Sequence, residues 1–220
     1  MEIIARIKND YISKFGVPRQ ANLVDVESTI IFEEKYRVPE ALRELDKYNY
    51  IWLIWGFSEN ESKPWSPTVR PPRLGGNKRV GVFASRSPFR PNSLGLSSVK
   101  LKAIEKTEKY GYVLKISGAD LMDGTPIYDI KPYLPYVDSH PEASNGFALS
   151  DNSPVLKVIV PESINIADDK LEAIIKVLEQ DPRPQYIEDE EREYGLTFGG
   201  YNIKFKVKEN ELKITEAIEI

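Results

Sequence analysis

Residues 50–57, YIWLIWGF, form the longest apolar run in the chain, rich in β-branched and aromatic side chains. Its length fits a strand with both faces covered and falls far short of the roughly 20 apolar residues that a membrane span needs. Upstream, NLVDVESTIIF (22–32) carries Val24, Val26, Ile30 and Phe32 on one face, which predicts a strand from Asn22 to Phe32. Between them, Pro39 to Leu45 puts proline at a helix start and Leu42, Leu45 and Tyr48 on one side, predicting a short helix of about two to three turns. Further strands are expected at Arg79–Ala84, Leu96–Lys106, Tyr112–Ser117 and Pro126–Ile130. Many strands with few helices predict a mainly β fold, a closed or nearly closed β-barrel.

Composition shifts at DSHPEASNGFALSDN (138–152) to linker chemistry, so residues 1–145 are expected to form the barrel and 146–220 a small α+β domain. The second unit reads as a strand (Leu156–Val160), a helix (Asp168–Gln180) and two closing strands (Tyr201–Val207, Leu212–Ile218). A unit this small should lean on the barrel.

The 220 residues are 41% hydrophobic against 29% charged, enough apolar material for a core and unlike a disordered chain. Cysteine is absent, which removes disulfides, thiolate nucleophiles and cysteine-ligated metals. A reducing, cytoplasmic setting fits. His140 is the single histidine, so no His-rich metal site is expected, and a Ser-His-Asp arrangement is open only through that residue. The first residues, MEIIARIKND, have charges interrupting the apolar positions and lack the apolar segment of a secretion signal.

Net charge is −4, but it is unevenly distributed. From Lys63 to Lys102 there are nine Lys and Arg and no Asp or Glu. Such an island suits an anionic partner, because a phosphate chain binds clustered cations with release of its counterions. A solvated basic face, paired with the acidic remainder, is the alternative. Trp65, Phe83 and Phe89, interleaved in the island, could stack on bases, and Phe83 fits equally well in a core with Val80 and Val82.

No G-x-G-x-x-G follows a strand and no P-loop pattern exists, which closes the usual nucleotide-binding routes. The segment RPPRLGGNKRVGVFASRSPFRPNSLGL (70–96) instead holds five arginines among four prolines, on backbone too rigid for a helix. In DGTPIYDIKPY (123–133), Asp129, Lys131 and Tyr133 alternate to one face, either lining a pocket or forming a salt bridge beside an exposed tyrosine. In DPRPQY (181–186), Arg183 is held between prolines.

Together RVGVFASRSPFRPNSLGLS (79–97), DGTPIYDIKPYLPYVD (123–138), FGVPRQ (15–20) and DPRPQY, with YNIKFKV (201–207), resemble the TsaA-like family of tRNA (adenine-N6)-methyltransferases, in its bacterial form with a C-terminal domain. The resemblance implies a TsaA-like β-barrel that binds S-adenosylmethionine without a Rossmann sheet. It also implies a homodimer and methylation of N6 of threonylcarbamoyl-adenosine next to the tRNA anticodon, without a metal. The cofactor contacts it implies are Pro18, Arg19 and Gln20, then Arg86, Leu96 and the turn Asp123, Gly124, Thr125 and Pro126. Where the family usually reads His followed by a polar residue, this chain has Ser58 and Glu59, which leaves a main-chain contact.

Methyl transfer from a sulfonium demands alignment above all, with a group to assist loss of the N6 proton. Asp129, then Tyr133, are the candidates for that group. Arg90 and Lys131 are candidates for the threonyl carboxylate, by charge-assisted hydrogen bonds. Arg70, Arg73, Lys78, Arg79 and Arg183 are candidates for tRNA phosphates. A non-catalytic module holding cofactor or RNA, and a methyltransferase acting on a small molecule, are the alternatives.

Overall fold

The computed structural model describes residues 1–60, 64–71, 74, 78–147, 155–183 and 189–220. Its strands in chain order are β1 (Ala5–Lys8), β2 (Glu27–Phe32), β3 (Tyr50–Gly56), β4 (Thr68–Val69), β5 (Val80–Gly81), β6 (Leu94–Thr107), β7 (Gly111–Ser117) and β8 (Pro126–Pro132). After a one-turn helix α1 (Pro135–Asp138) come β9 (Lys157–Ile159), α2 (Asp168–Glu179), β10 (Tyr194–Phe198), β11 (Tyr201–Lys208) and β12 (Glu211–Glu219). The fold is mainly β with few helices.

Six antiparallel strands pair in the closed order β1-β2-β7-β6-β3-β8, with β8 returning to β1. Alternation along β3 turns Ile51, Leu53 and Trp55 into a core with Ile7, Ile30, Val99, Leu114, Ile116 and Ile127. Tyr50, Trp52 and Ile54 take the other face, which is only partly covered. The run 50–57 is therefore apolar throughout because both faces are used: Ile51, Leu53 and Trp55 serve the core, with Trp55 also reaching the cavity, and Tyr50 and Trp52 line the cavity from the other face.

The second sheet has the order β10-β11-β12-β9, antiparallel except for the parallel β12–β9 pair. Its core draws Ile174, Val177 and Leu178 from α2 together with Leu196, Ile203, Phe205, Leu212 and Ile214. The same core includes Tyr11, Val24 and Val26, with Phe15, Val17 and Leu23 packed against it. Residues 11–26 thus leave the barrel after β1, cross the second sheet and re-enter at β2. Phe15 stacks on Phe205 at 6.4 Å, and the Lys170 ammonium is 3.1 Å from the Asp10 carboxylate.

Several sequence expectations change here. The strand predicted from Asn22 begins at Glu27, because Val24 and Val26 serve the second core rather than the barrel. Pro39–Leu45 is not an α-helix but a 3-10 turn (Pro39–Leu42) followed by another (Leu45–Lys47), with Glu44 between them at φ +70°. The spacing of Leu42, Leu45 and Tyr48 is three and three, the period of a 3-10 helix. Arg79–Ala84 is a strand only over Val80–Gly81. The Ser85 N–H and hydroxyl then both bond the Val82 carbonyl, closing a 3-10 turn at Val82–Ala84. Phe83 sits on that turn and is 73% exposed, so it is not core. Strands β1, β4 and β10 have no counterpart among the strands that the sequence predicts.

Candidate active site

A cavity of about 1170 Å³ opens where β3 and β6 meet the 11–26 crossing, the 82–94 loop and the turn before β8. Of the residues singled out in the sequence, Pro18, Arg19, Gln20, Ser58, Glu59, Arg86, Phe89, Arg90, Leu96, Asp123, Thr125 and Tyr133 line it. Segments separated by more than a hundred residues in sequence converge there.

The first wall is the Pro18–Gln20 loop. Phe15 and Val17, packed against the second core, hold its approach. Arg86 donates a hydrogen bond to Gln20 Oε1, and Gln20 Nε2 donates to the Arg19 carbonyl at 2.6 Å. The loops bearing Gln20 and Arg86 are therefore tied together at the cavity.

The second wall is the turn Asp123–Thr125. Gly124 has φ +75°, a left-handed conformation that glycine adopts without strain. The Asp123 and Gly124 N–H groups donate to the carbonyls of Tyr11 and Ile7, and Asp123 Oδ1 accepts the Asn9 N–H at 2.9 Å. Gly124 and Pro126 do not line the cavity. Gly124 gives its carbonyl to Arg6 at 3.0 Å, and Pro126 pairs with Arg6 in the β1–β8 ladder, so both fix the turn from behind.

The floor was not foreseen. Trp55 Nε1 donates to Ser97 Oγ at 2.9 Å, and Ser97 Oγ donates to Asp120 Oδ1 at 2.6 Å. Burial pushes the Asp120 carboxyl above its ordinary range, against the lowering effects of the Ser97 hydrogen bond, its own main-chain N–H and, less strongly, the Arg86 charge and the Ala21 N–H. The available signal in the sequence is a lone acid between the apolar Ala119 and Leu121, three residues past the end of a strand.

The third wall is aromatic. Tyr133 lies 5.5 Å from Trp52 and 6.3 Å from Tyr50, centroid to centroid. Trp52 Nε1 donates to Asp138 Oδ2 at 2.9 Å, and the Leu134 N–H donates to the same oxygen at 2.8 Å. The Leu134 hydrogen bond, followed by that from Trp52, holds the Asp138 carboxyl below its ordinary range. Arg90 is pinned by bonds from Nη1 to the carbonyls of Val82 and Ser85, and its guanidinium lies 5.6 Å from the centre of the Phe83 ring.

Other candidates are placed elsewhere. Asp129 and Lys131 share the outer face of β8, opposite Ile54 and Trp52, but they form an ion pair of 2.9 Å and lie outside the cavity lining. Arg70, Lys78 and Arg79 are exposed around β4 and β5, with Arg79 Nη1 donating to Thr68 Oγ1 at 2.7 Å. Arg73 lies outside the described residues. Arg183 is mostly buried in a two-pronged pair with Asp181, Nε to Oδ1 at 2.8 Å and Nη2 to Oδ2 at 2.9 Å, which neutralises it as a phosphate ligand. Among the described residues, no group of three His, Cys, Asp or Glu side chains is placed to hold a metal, and no helix is long and apolar enough to cross a membrane.

Two family models match the chain, the tRNA-methyltransferase O N-terminal domain over residues 6–139 and the TrmO C-terminal domain over residues 161–219. The chain is 39% identical over 219 residues to tRNA (adenine(37)-N6)-methyltransferase of Escherichia coli K12, covering 94% of this chain and 92% of that protein. It is 44% identical over 175 residues to the protein of the same name from Eikenella corrodens, covering 78% and 97%. A Pseudomonas aeruginosa relative, RcsF, whose name describes an S-adenosylmethionine-dependent methyltransferase, is 38% identical over 205 residues, covering 88% and 86%. The crystal structure of TrmO from Pseudomonas aeruginosa matches with a TM-score of 0.78 at 28% identity, covering 98% of this chain and 97% of that one. With both domain models matched in order along one polypeptide, the chain belongs to the tRNA-methyltransferase O family.

Proposed function

We propose that this chain is an S-adenosylmethionine-dependent methyltransferase acting on N6 of N6-threonylcarbamoyladenosine next to the tRNA anticodon. The observation that carries the reading is the convergence of Pro18–Gln20, Arg86, Leu96 and the Asp123–Thr125 turn on one cavity with an aromatic wall beside it. The relatives named above for tRNA (adenine(37)-N6) methylation and S-adenosylmethionine dependence support it. In this reading residues 1–145 are the TsaA-like β-barrel and 146–220 the C-terminal domain, which braces the Pro18–Gln20 loop, and the protein works as a homodimer in the cytoplasm.

The cavity suits the donor chemically. It offers an apolar and aromatic lining for an adenosine, the Arg19 and Arg86 cations for a carboxylate, and the partly buried Asp120. When bound, S-adenosylmethionine supplies a methyl group on a good leaving group, so the chain's residues mainly orient and exclude water. Pro18–Gln20, Arg86, Leu96 and the Asp123–Thr125 turn hold the donor, with Ser58 and Glu59 at its rim. Tyr50, Trp52 and Tyr133 present ring faces on which a base can stack. Of the two acid–base candidates, Tyr133 lines the cavity, and its hydroxyl is assigned to the N6–H, turning the nitrogen lone pair toward the methyl group. Asp129, paired with Lys131, sets the neighbouring strand face.

Arg90 is assigned to the threonyl carboxylate, since it lies on the cavity wall and Lys131 does not. Arg70, Lys78 and Arg79 are assigned to tRNA phosphates, and exposed Phe83, backed by Arg90, to stacking on a tRNA base. The test is to incubate the purified chain with S-adenosylmethionine and total tRNA, then resolve the nucleosides by mass spectrometry. One added methyl on threonylcarbamoyl-adenosine supports the reading. Transfer to small molecules of a tRNA-free extract, with none to tRNA, replaces it with the small-molecule alternative.

A further inference from the structure

The carboxylates on the cavity lining differ in what already engages them. Glu59 and Asp123 are exposed, and Asp123 accepts a main-chain N–H. Asp138 sits at the aromatic end with two donors on one oxygen. Asp120 is partly buried, and the part left open faces the cavity. Its donors are all neutral, the Ser97 hydroxyl and the main-chain N–H groups of Asp120 and Ala21, and burial still outweighs them. Arg86 acts on it as a charge through space and is itself engaged with Gln20.

A carboxylate withdrawn from water is costly unless a cation or several donors compensate it. The Trp55–Ser97 chain holds Asp120 in place without supplying a charge, because indole and hydroxyl are both neutral. Such an arrangement fixes an anion for a cation that arrives with the ligand. An adenine ring and a threonyl carboxylate offer no positive centre, whereas the methyl donor carries two, the sulfonium and the α-ammonium.

We propose that Asp120 is the counter-charge for the cationic end of the methyl donor, and that Ser97 and Trp55 are positioning residues for its carboxylate. The inference rests on the donor assigned to this cavity above and adds a recognition residue to it. Asp120 separates the charged donor from an adenosine thioether that has no cationic centre.

The test is direct binding by calorimetry of three probes, S-adenosylmethionine, S-adenosylhomocysteine and 5′-methylthioadenosine, to the full chain and to Asp120→Asn. The amide keeps the shape and can still accept from Ser97, and 5′-methylthioadenosine, which has neither cationic centre, reports whether the pocket survives. Expected is a loss of about tenfold to a hundredfold for S-adenosylmethionine in the variant, the range for a hydrogen bond to a charged group, with 5′-methylthioadenosine unchanged. A parallel loss for S-adenosylhomocysteine assigns the contact to the ammonium, and its absence assigns it to the sulfonium. Unchanged affinity for S-adenosylmethionine, or equal losses for all three probes, overturns the proposal. Failure of the unaltered chain to bind S-adenosylmethionine removes the donor assignment itself, and the inference with it.

Discussion

The Trp55 indole occupies the space into which a side chain on Gly95 would project: a Cβ built on Gly95 would stand 2.2 Å from Trp55 Cε2. The two residues face each other across the β3–β6 ladder, and the indole in that slot donates to Ser97, two residues along the same strand. A glycine in β6 thus sets the position of the cavity floor.

Gly95→Ala forces the indole aside. Overpacking of this kind costs about 1–3 kcal/mol. For a chain of this size the melting temperature should fall by roughly 2–4 °C per kcal/mol, read by differential scanning calorimetry. Donor affinity should fall in the same variant, because Ser97 and Asp120 lose their anchor.

Gly16 plays a comparable part between the two cores. Its φ is +96°, and a Cβ there would stand 2.4 Å from Leu196 Cδ1. Gly16→Ala should therefore loosen the Pro18–Gln20 loop from the C-terminal sheet. The expected outcome is weaker S-adenosylmethionine binding by calorimetry, several-fold or more, with a lower melting temperature.

Asp120 carries a pH signature. Burial raises its folded-state pKa above the unfolded value, so the ionised carboxyl penalises the folded state. That penalty is absent below the ordinary carboxylate range and grows as pH rises through the folded-state value. Asp120→Asn should accordingly raise the melting temperature of the ligand-free protein at neutral pH, by a few degrees, and the gain should shrink toward zero in acid. A variant less stable than the parent at neutral pH would show that the carboxylate is fully compensated without ligand.

The arginines separate into two groups by their partners. Replacing Arg70, Lys78 and Arg79 by alanine should weaken tRNA binding and flatten its salt dependence by about 0.7–0.9 per lost phosphate contact. Arg183→Ala should leave that slope unchanged and lower stability instead, by about 1–3 kcal/mol, because it strands the mostly buried Asp181 carboxylate. Phe83→Ala should cost tRNA affinity, on the order of 1–3 kcal/mol for one stacked base. Because the ring is exposed, the melting temperature should barely move.

Much of this architecture was legible in period and composition. Strands Tyr50–Gly56, Gly111–Ser117 and Tyr201–Lys208 follow their apolar runs or alternations to within one residue, and α2 follows its stripe of Leu171, Ile174 and Leu178. Where reading failed, a long-range partner had overruled a local pattern. Val24 and Val26 continue the alternation of β2 yet pack into the other core, and no local signal says which core an alternating valine serves. Phe83, among Val80 and Val82, lies outside because the Ser85 bonds to Val82 turn the chain there.

The site was legible as segments rather than as roles. Each quoted motif contributes to the cavity wall or stands behind it, except the DPRPQY arginine, which Asp181 claims two residues away. Asp129 and Lys131 share a face with Tyr133, as their spacing requires, and the two readings of that spacing divide between them: the acid and the cation form the salt bridge, and Tyr133 lines the cavity. Asp120 escaped notice because a lone acid between apolar neighbours shows its importance only when the far strand brings Ser97 to it.

The most direct test of the central claim is transfer of labelled methyl from S-adenosylmethionine to two matched tRNAs, one bearing threonylcarbamoyl-adenosine beside the anticodon and one bearing plain adenosine there. Label on N6 of the modified nucleoside and background counts on the plain one are expected, with the difference reduced in Arg90→Ala. Equal labelling of both tRNAs, or labelling of neither while the donor still binds, would contradict it.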